Sequence, residues 1–158
     1  MILVVLGTQD KRFERLLKVV EQAIDQGLIK DEVMVQAGCT VYENDKMNVV
    51  DYVDMTTFEQ WMKDCRLLIT HGGVGTIMSA LRNKKPVIAC ARLAKYGEHH
   101  NDHQCEIIET FYEKGYLIPL RDGQSLKEAL SAAESFVVPD VESNNRKMIE
   151  LLSNCLEL

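Results

Sequence analysis

The segment His71-Gly72-Gly73-Val74-Gly75-Thr76 follows the apolar run Leu67-Leu68-Ile69-Thr70 and precedes Ile77, Met78, Ala80 and Leu81 at helical spacing. A strand, a glycine-bearing turn and a helix start, in that order, can do specific chemistry. Glycines lack Cβ, so their backbone can approach a ligand closely and adopt positive φ. The N–H groups of a first helical turn are unpaired and sit at the positive end of the helix dipole, which suits a diphosphate. The Thr76 hydroxyl adds a donor. The competing reading is a tight strand-to-helix turn with no phosphate ligand. No Gly-Lys-Ser/Thr follows the glycines and their spacing is not GxGxxG. P-loop hydrolysis and dinucleotide-dependent hydride transfer are therefore disfavoured.

A second polar cluster is Tyr96-Gly97-Glu98-His99-His100-Asn101-Asp102-His103-Gln104. Its density of donors and acceptors suits a polyhydroxylated ligand. A metal site competes with that reading, because His99 and His103 have the i, i+4 spacing of a zinc pair on one helix face. The remaining spacings match no standard cluster, and the expectation is no metal. A third reading is a solvated loop in which Asp102 caps the following helix.

These segments must be positioned by regular elements. Residues 2–6 form a β-branched apolar run ending in Gly7-Thr8, the pattern of a strand buried on both faces. Phe13, Leu16, Leu17, Val20, Ala23 and Ile24 predict a helix that stops at Gly27. Strands are expected at Val33–Gln36 and Val49–Val53, then a short helix carrying Phe58, Trp61 and Met62 and capped by Thr56 or Thr57. After the His71 segment come a strand at Pro86–Ala89, a polar loop over 91–103 and a helix to about 114. A strand at Tyr116–Ile118 and a helix through Leu126, Ala129, Leu130 and Ala133 follow. Met148, Ile149, Leu151, Leu152 and Leu156 predict a terminal helix after Pro139. Residues 38–48 read as a polar, mobile connection.

Strands alternating with helices predict an α/β fold with a parallel sheet covered on both faces. The 158 residues are expected to form a single Rossmann-like domain spanning 1–158. In such a sheet ligands bind outside the carboxyl ends of the strands, so the loops at 7–10, 36–46, 70–76 and 90–104 carry the function. Gly7 and Thr8 join the candidate residues on that ground.

A net charge of −6 argues against a nucleic-acid partner. Cys39, Cys65, Cys90, Cys105 and Cys155 are odd in number and form no CxxC, so free thiols in a reducing cytoplasm are expected. The N-terminal run lacks the pattern of a signal peptide, and no apolar run approaches the ~20 residues of a membrane span.

His71 through Thr76, Lys85-Pro86-Val87-Ile88, and Tyr96-Gly97-Glu98-His99 through His103-Gln104 resemble the C-terminal, donor-binding domain of glycosyltransferase family 28. Gly7-Thr8 through Phe13-Glu14-Arg15-Leu16 and Val35-Gln36-Ala37-Gly38 narrow the resemblance. They are similar to the soluble subunits of two-part UDP-sugar transferases. These include the eukaryotic UDP-N-acetylglucosamine transferase and, closer, bacterial capsule and exopolysaccharide subunits of the β-1,4-galactosyltransferase enhancer type. The resemblance covers residues 1 to about 120.

It implies one half of a GT-B fold and an inverting, metal-independent hexosyltransferase with a UDP-sugar donor and no further cofactor. It implies that Gly72, Gly73, Gly75 and Thr76, with His71 alongside, hold the diphosphate. Gln104 matches a position that contacts donor-sugar hydroxyls, and Glu98 is a candidate for ribose or sugar hydroxyls. Many members carry a ribose-gripping carboxylate where this chain has Ser79, so ribose recognition falls to Ser79, Glu98 or Asp102.

Inverting transfer needs a base to deprotonate the acceptor. Within the chain the candidate is His71, and the resemblance implies that the base and the lipid-linked acceptor site lie on the other Rossmann half, here expected as a membrane-anchored partner subunit at the cytoplasmic face. The helix over 141–157 would dock that partner or close the chain's own core. The donor sugar is galactose, N-acetylglucosamine or glucuronic acid, and Arg92 or Lys95 facing the sugar would favour glucuronate. The alternative function is a non-catalytic stabilising subunit, and a third is a stand-alone sugar-nucleotide enzyme.

Overall fold

A computed structural model describes residues 1–141 and 146–157 of the chain. Its centre is a six-stranded sheet of order β3-β2-β1-β4-β5-β6, parallel throughout. The strands are β1 (Ile2–Val5), β2 (Val33–Gln36), β3 (Asn48–Val50), β4 (Leu67–Thr70), β5 (Val87–Ala89) and β6 (Ile118–Pro119). The helices are α1 (Glu14–Asp25), α2 (Met55–Asp64), α3 (Val74–Arg82), α4 (His103–Glu113), α5 (Leu126–Glu134) and α6 (Arg146–Glu157).

The two-residue period of a strand explains why β1 is wholly apolar. Ile2, Val4 and Leu6 face one layer, with Leu16, Leu17 and Val20 of α1 and Leu126, Ala129 and Ala133 of α5. Leu3 and Val5 face the other, with Met62 of α2, Ile77 and Leu81 of α3, Phe111 of α4 and Met148 and Leu151 of α6. β1 and β4 are buried on both sides because helices cover both.

Several boundaries differ from the sequence expectation. α2 is capped by Asp54, whose carboxylate accepts from Thr57 N at 2.7 Å, and not by Thr56 or Thr57. A carboxylate in extended backbone just before the helix is the better cap, because it also meets the helix dipole. β3 is shorter than 49–53 and starts at Asn48, and β6 lies at Ile118–Pro119. Asp102 occupies the N-cap position of α4, but its carboxylate accepts from Ala94 N at 2.9 Å, and Asn101 Oδ1 takes His103 N at 2.9 Å instead.

The connection after β2, expected to be mobile, is anchored. Thr40 is buried and its hydroxyl accepts from Phe13 N at 2.9 Å. Arg12 donates to Val41 O at 3.1 Å, and Met47 enters the core.

Met148, Leu151 and Cys155 of α6 are buried in the chain's own core. His103 Nε2 lies 3.2 Å from Cys155 O, tying the start of α4 to the last turn of α6. Residues 142–145 of the expected docking segment lie outside the described residues. No described helix is long and apolar enough to cross a membrane.

Candidate functional site

The sheet order reverses at β1, whose neighbours are β2 and β4. In a doubly wound sheet a crevice opens at the carboxyl ends of such a pair. At those ends stand Gly7 after β1 and His71-Gly72-Gly73 after β4. Thr70 is buried and its hydroxyl donates to Val5 O at 2.9 Å, while His71 N donates to the same oxygen at 3.3 Å, so the two strand ends are locked together.

His71 is the centre of this arrangement. Its ring is packed between two glycines. A Cβ at Gly7 would stand 2.5 Å from Cε1 and Nε2, and a Cβ at Gly73 would stand 2.7 Å from Nε2. Gly7 also has φ +83°, a conformation that few L side chains adopt. Gly72 makes room for Gln104, whose Cβ would be 2.7 Å from a Cβ on residue 72. Three of the glycines are therefore required by the protein's own side chains.

Gly75 is different. A Cβ there would meet nothing within 4 Å. It lies in the first turn of α3, where Gly73 occupies the cap position and no side chain caps the helix. The N–H groups of Val74, Gly75 and Thr76, in the first turn, have no intrahelical acceptor. Thr76 is partly exposed there, and Ser79 follows three residues later on the same helix face.

Burial pushes the His71 imidazole down to about 4, helped by the charge of Arg92 and by His99. It is neutral at neutral pH. A base so weak has little drive to take a proton from a sugar hydroxyl, which speaks against His71 as the acceptor base. His99 is also lowered, by burial first and then by His100 and Arg92.

Gln104 is 5% exposed and its carboxamide is spent inside the protein. Its Oε1 accepts from Gly72 N and from Arg92 N, both at 3.0 Å, and its Nε2 lies 3.2 Å from His71 Nδ1. This geometry suits holding the His71 loop better than meeting a sugar.

Glu98 is also committed. It is 4% exposed, and its carboxylate takes Arg15 Nη2 at 2.9 Å, Arg15 Nε at 3.1 Å and Leu93 N at 3.0 Å. The carboxylate clamps the loop after β5 onto α1. Asp102 serves the same loop through Ala94. Thr8 is exposed immediately beyond Gly7.

Arg92, considered as a residue facing the sugar, is 0% exposed. Its guanidinium donates to Leu6 O at 2.6 Å, Lys11 O at 2.7 Å and Glu98 O at 3.1 Å and lies 5.0 Å over the Phe13 ring. Its Nε has no partner among the described residues. Arg92 is the internal strut between the loops after β1 and β5. Lys95, the other candidate, pairs with Asp122 at 2.8 Å on the surface. The roles of Arg92 and Arg15 were missed in the sequence. Their only signal is a cation at the end of the apolar run Val87–Ala91 and another among the apolar positions of α1.

His99 precedes α4, so His99 and His103 do not share a helix face as the metal reading required. His99 instead stacks on His100 at 4.4 Å. Among the described residues no group of three or more His, Cys, Asp or Glu is placed to hold a metal ion.

Comparisons with known proteins fit this geometry. The glycosyltransferase family 28 C-terminal domain matches residues 1–148. The UDP-N-acetylglucosamine transferase subunit ALG13 of Saccharomyces cerevisiae is 32% identical over 78 residues, covering 49% of this chain and 37% of the relative. The solution structure of ALG13 superposes with a TM-score of 0.59 at 20% identity, covering 96% of this chain and 94% of that one. The glycotransferase of kitacinnamycin and the calicheamicin glycosyltransferase CalG4 both give a TM-score of 0.64, at 16% and 17% identity. Each match covers 99% of this chain and 38% of the other, so this fold corresponds to one half of a GT-B enzyme. By sequence and by fold, the chain belongs to the glycosyltransferase family 28 C-terminal domain family.

Proposed function

We propose that the chain is the donor-binding subunit of an inverting hexosyltransferase. It would hold a UDP-sugar, without metal, at the carboxyl edge of β1 and β4. The observation that carries this reading is the uncapped first turn of α3, open at Gly75 and flanked by the buried neutral His71. Unpaired N–H groups at the helix's positive end favour a diphosphate and the UDP that departs when the sugar is transferred. Thr76 would add a hydroxyl, and Ser79, one turn further along α3, would meet the ribose.

The family supports a glycosyltransferase activity, and the match to a transferase subunit supports a two-part enzyme. The acceptor base and the lipid-linked acceptor would then come from a membrane-anchored partner that holds this chain at the cytoplasmic face. Galactose, N-acetylglucosamine and glucuronic acid remain the candidate sugars, in capsule, exopolysaccharide or lipid-linked oligosaccharide synthesis. With Arg92 buried, the argument from that residue for glucuronate falls away.

The test is calorimetric titration with UDP and then UDP-sugars, with and without EDTA, on the chain alone and co-expressed with the partner. UDP binding that ignores EDTA and is lost in Gly75→Leu is expected. Absence of UDP binding in both preparations would instead favour a non-catalytic stabilising subunit.

A further inference from the structure

We propose that Gln104 is a positioning residue whose carboxamide fixes His71 as the Nε2–H tautomer, making the imidazole a neutral hydrogen-bond donor into the crevice. The nucleotide-site reading enters only in naming the acceptor, a phosphate oxygen.

The argument runs through proton ownership. Gly72 N and Arg92 N both point at one terminal atom of the Gln104 side chain, each at 3.0 Å. Two N–H donors can converge only on an acceptor, so that atom is the oxygen and the carboxamide cannot be flipped. The NH2 group then faces His71 Nδ1 at 3.2 Å. An amide NH2 only donates, so Nδ1 must present its lone pair. A neutral imidazole carries one proton, which is thereby left on Nε2. The imidazolium is disfavoured twice, by burial and by the N–H that would oppose its Nδ1–H.

Nε2 is where the donor is useful. It is wedged between Gly7 and Gly73, beside the open first turn of α3. His71 is 7% exposed, and no described residue accepts from Nε2. Nε2 is not among the described buried atoms left without a partner, so solvent reaches it, and an anion at the helix start would take the place of water as its acceptor. The same carboxamide oxygen also ties Arg92 N, so one side chain couples the β5 loop, the glycine turn and the histidine tautomer.

The test starts on ligand-free protein carrying 15N-labelled histidine, using long-range 1H–15N correlation at neutral pH. The expected His71 pattern is an unprotonated Nδ1 and a protonated Nε2. A protonated Nδ1, alone or with Nε2, overturns the proposal. Gln104→Glu places a carboxylate oxygen against Nδ1, so the proton should move there and the UDP dissociation constant should rise at least about tenfold. An unchanged His71 pattern in a folded Gln104→Glu protein also overturns it. If that variant does not fold, the wild-type pattern still decides. The expected pattern without UDP binding would sustain the role of Gln104 and sink the nucleotide reading.

Discussion

Gly73 and His71 are in contact in a way that forbids a side chain at residue 73. A Cβ there would come within 2.7 Å of His71 Nε2, whereas a Cβ two residues later, at Gly75, would meet nothing within 4 Å. Neighbouring glycines of one motif thus do opposite work, one seating a ring and the other leaving space.

Substitutions should separate them. Gly73→Ala is expected to destabilise the protein by about 1–3 kcal/mol through overpacking. Gly75→Ala should be neutral or stabilise by up to about 1 kcal/mol, because alanine is the better helix former. Urea denaturation of both variants checks this, and equal destabilisation would contradict it.

The pH dependence of stability follows from His71. Its native pKa of about 4 lies below the ordinary value of 6.5. Between those two values the unfolded state takes up a proton that the native state refuses, so stability falls as pH drops from 6.5 towards 4. The loss attributable to His71 is about 3 kcal/mol, complete near pH 4 and absent above 6.5. A His71→Asn variant with the same decline over that window, measured by denaturation at several pH values, would remove histidine as the cause.

Arg92→Met keeps the stem and removes the donors to Leu6, Lys11 and Glu98. It should cost about 3 kcal/mol, since those carbonyls lose their partners. Arg92→Lys should not restore it, because a single ammonium cannot span three carbonyls as the planar fork does. Chemical denaturation gives the magnitudes, and a stable Arg92→Met protein would deny the strut.

Glu98 tests structure against the ribose expectation. Because its carboxylate is held by Arg15 and Leu93 N, Glu98→Gln is expected to lower stability by about 2 kcal/mol while changing UDP affinity little. A double-mutant cycle with Arg15→Ala should show positive coupling. A large loss of UDP affinity with stability intact would restore Glu98 to the ligand.

Much of the fold was legible because it rests on local patterns. The apolar run at 2–6, the helical spacing from Phe13 to Ile24 and the glycine turn after Ile69 each imply an element and its neighbour. Alternation then implied a parallel sheet and ligand loops at its carboxyl edge. Boundaries slipped where short-range competition decided them, as when Asp54 displaced Thr56 and Thr57 as the cap.

The site was legible as a set of segments and not as a set of contacts. That His71, the glycines and Gln104 belong together was implied by their placement and by the family resemblance. Which of them face a ligand was not. Glu98 meets Arg15 across 83 positions and Arg92 meets Leu6 across 86, and no periodicity carries such pairings. Sequence by itself determined the elements, their order and the edge of the sheet where function sits, because those depend on hydrophobic period and turn chemistry. Only the tertiary structure decided that Glu98, Gln104 and Arg92 are turned inward, because a buried polar side chain goes to whichever distant partner satisfies it.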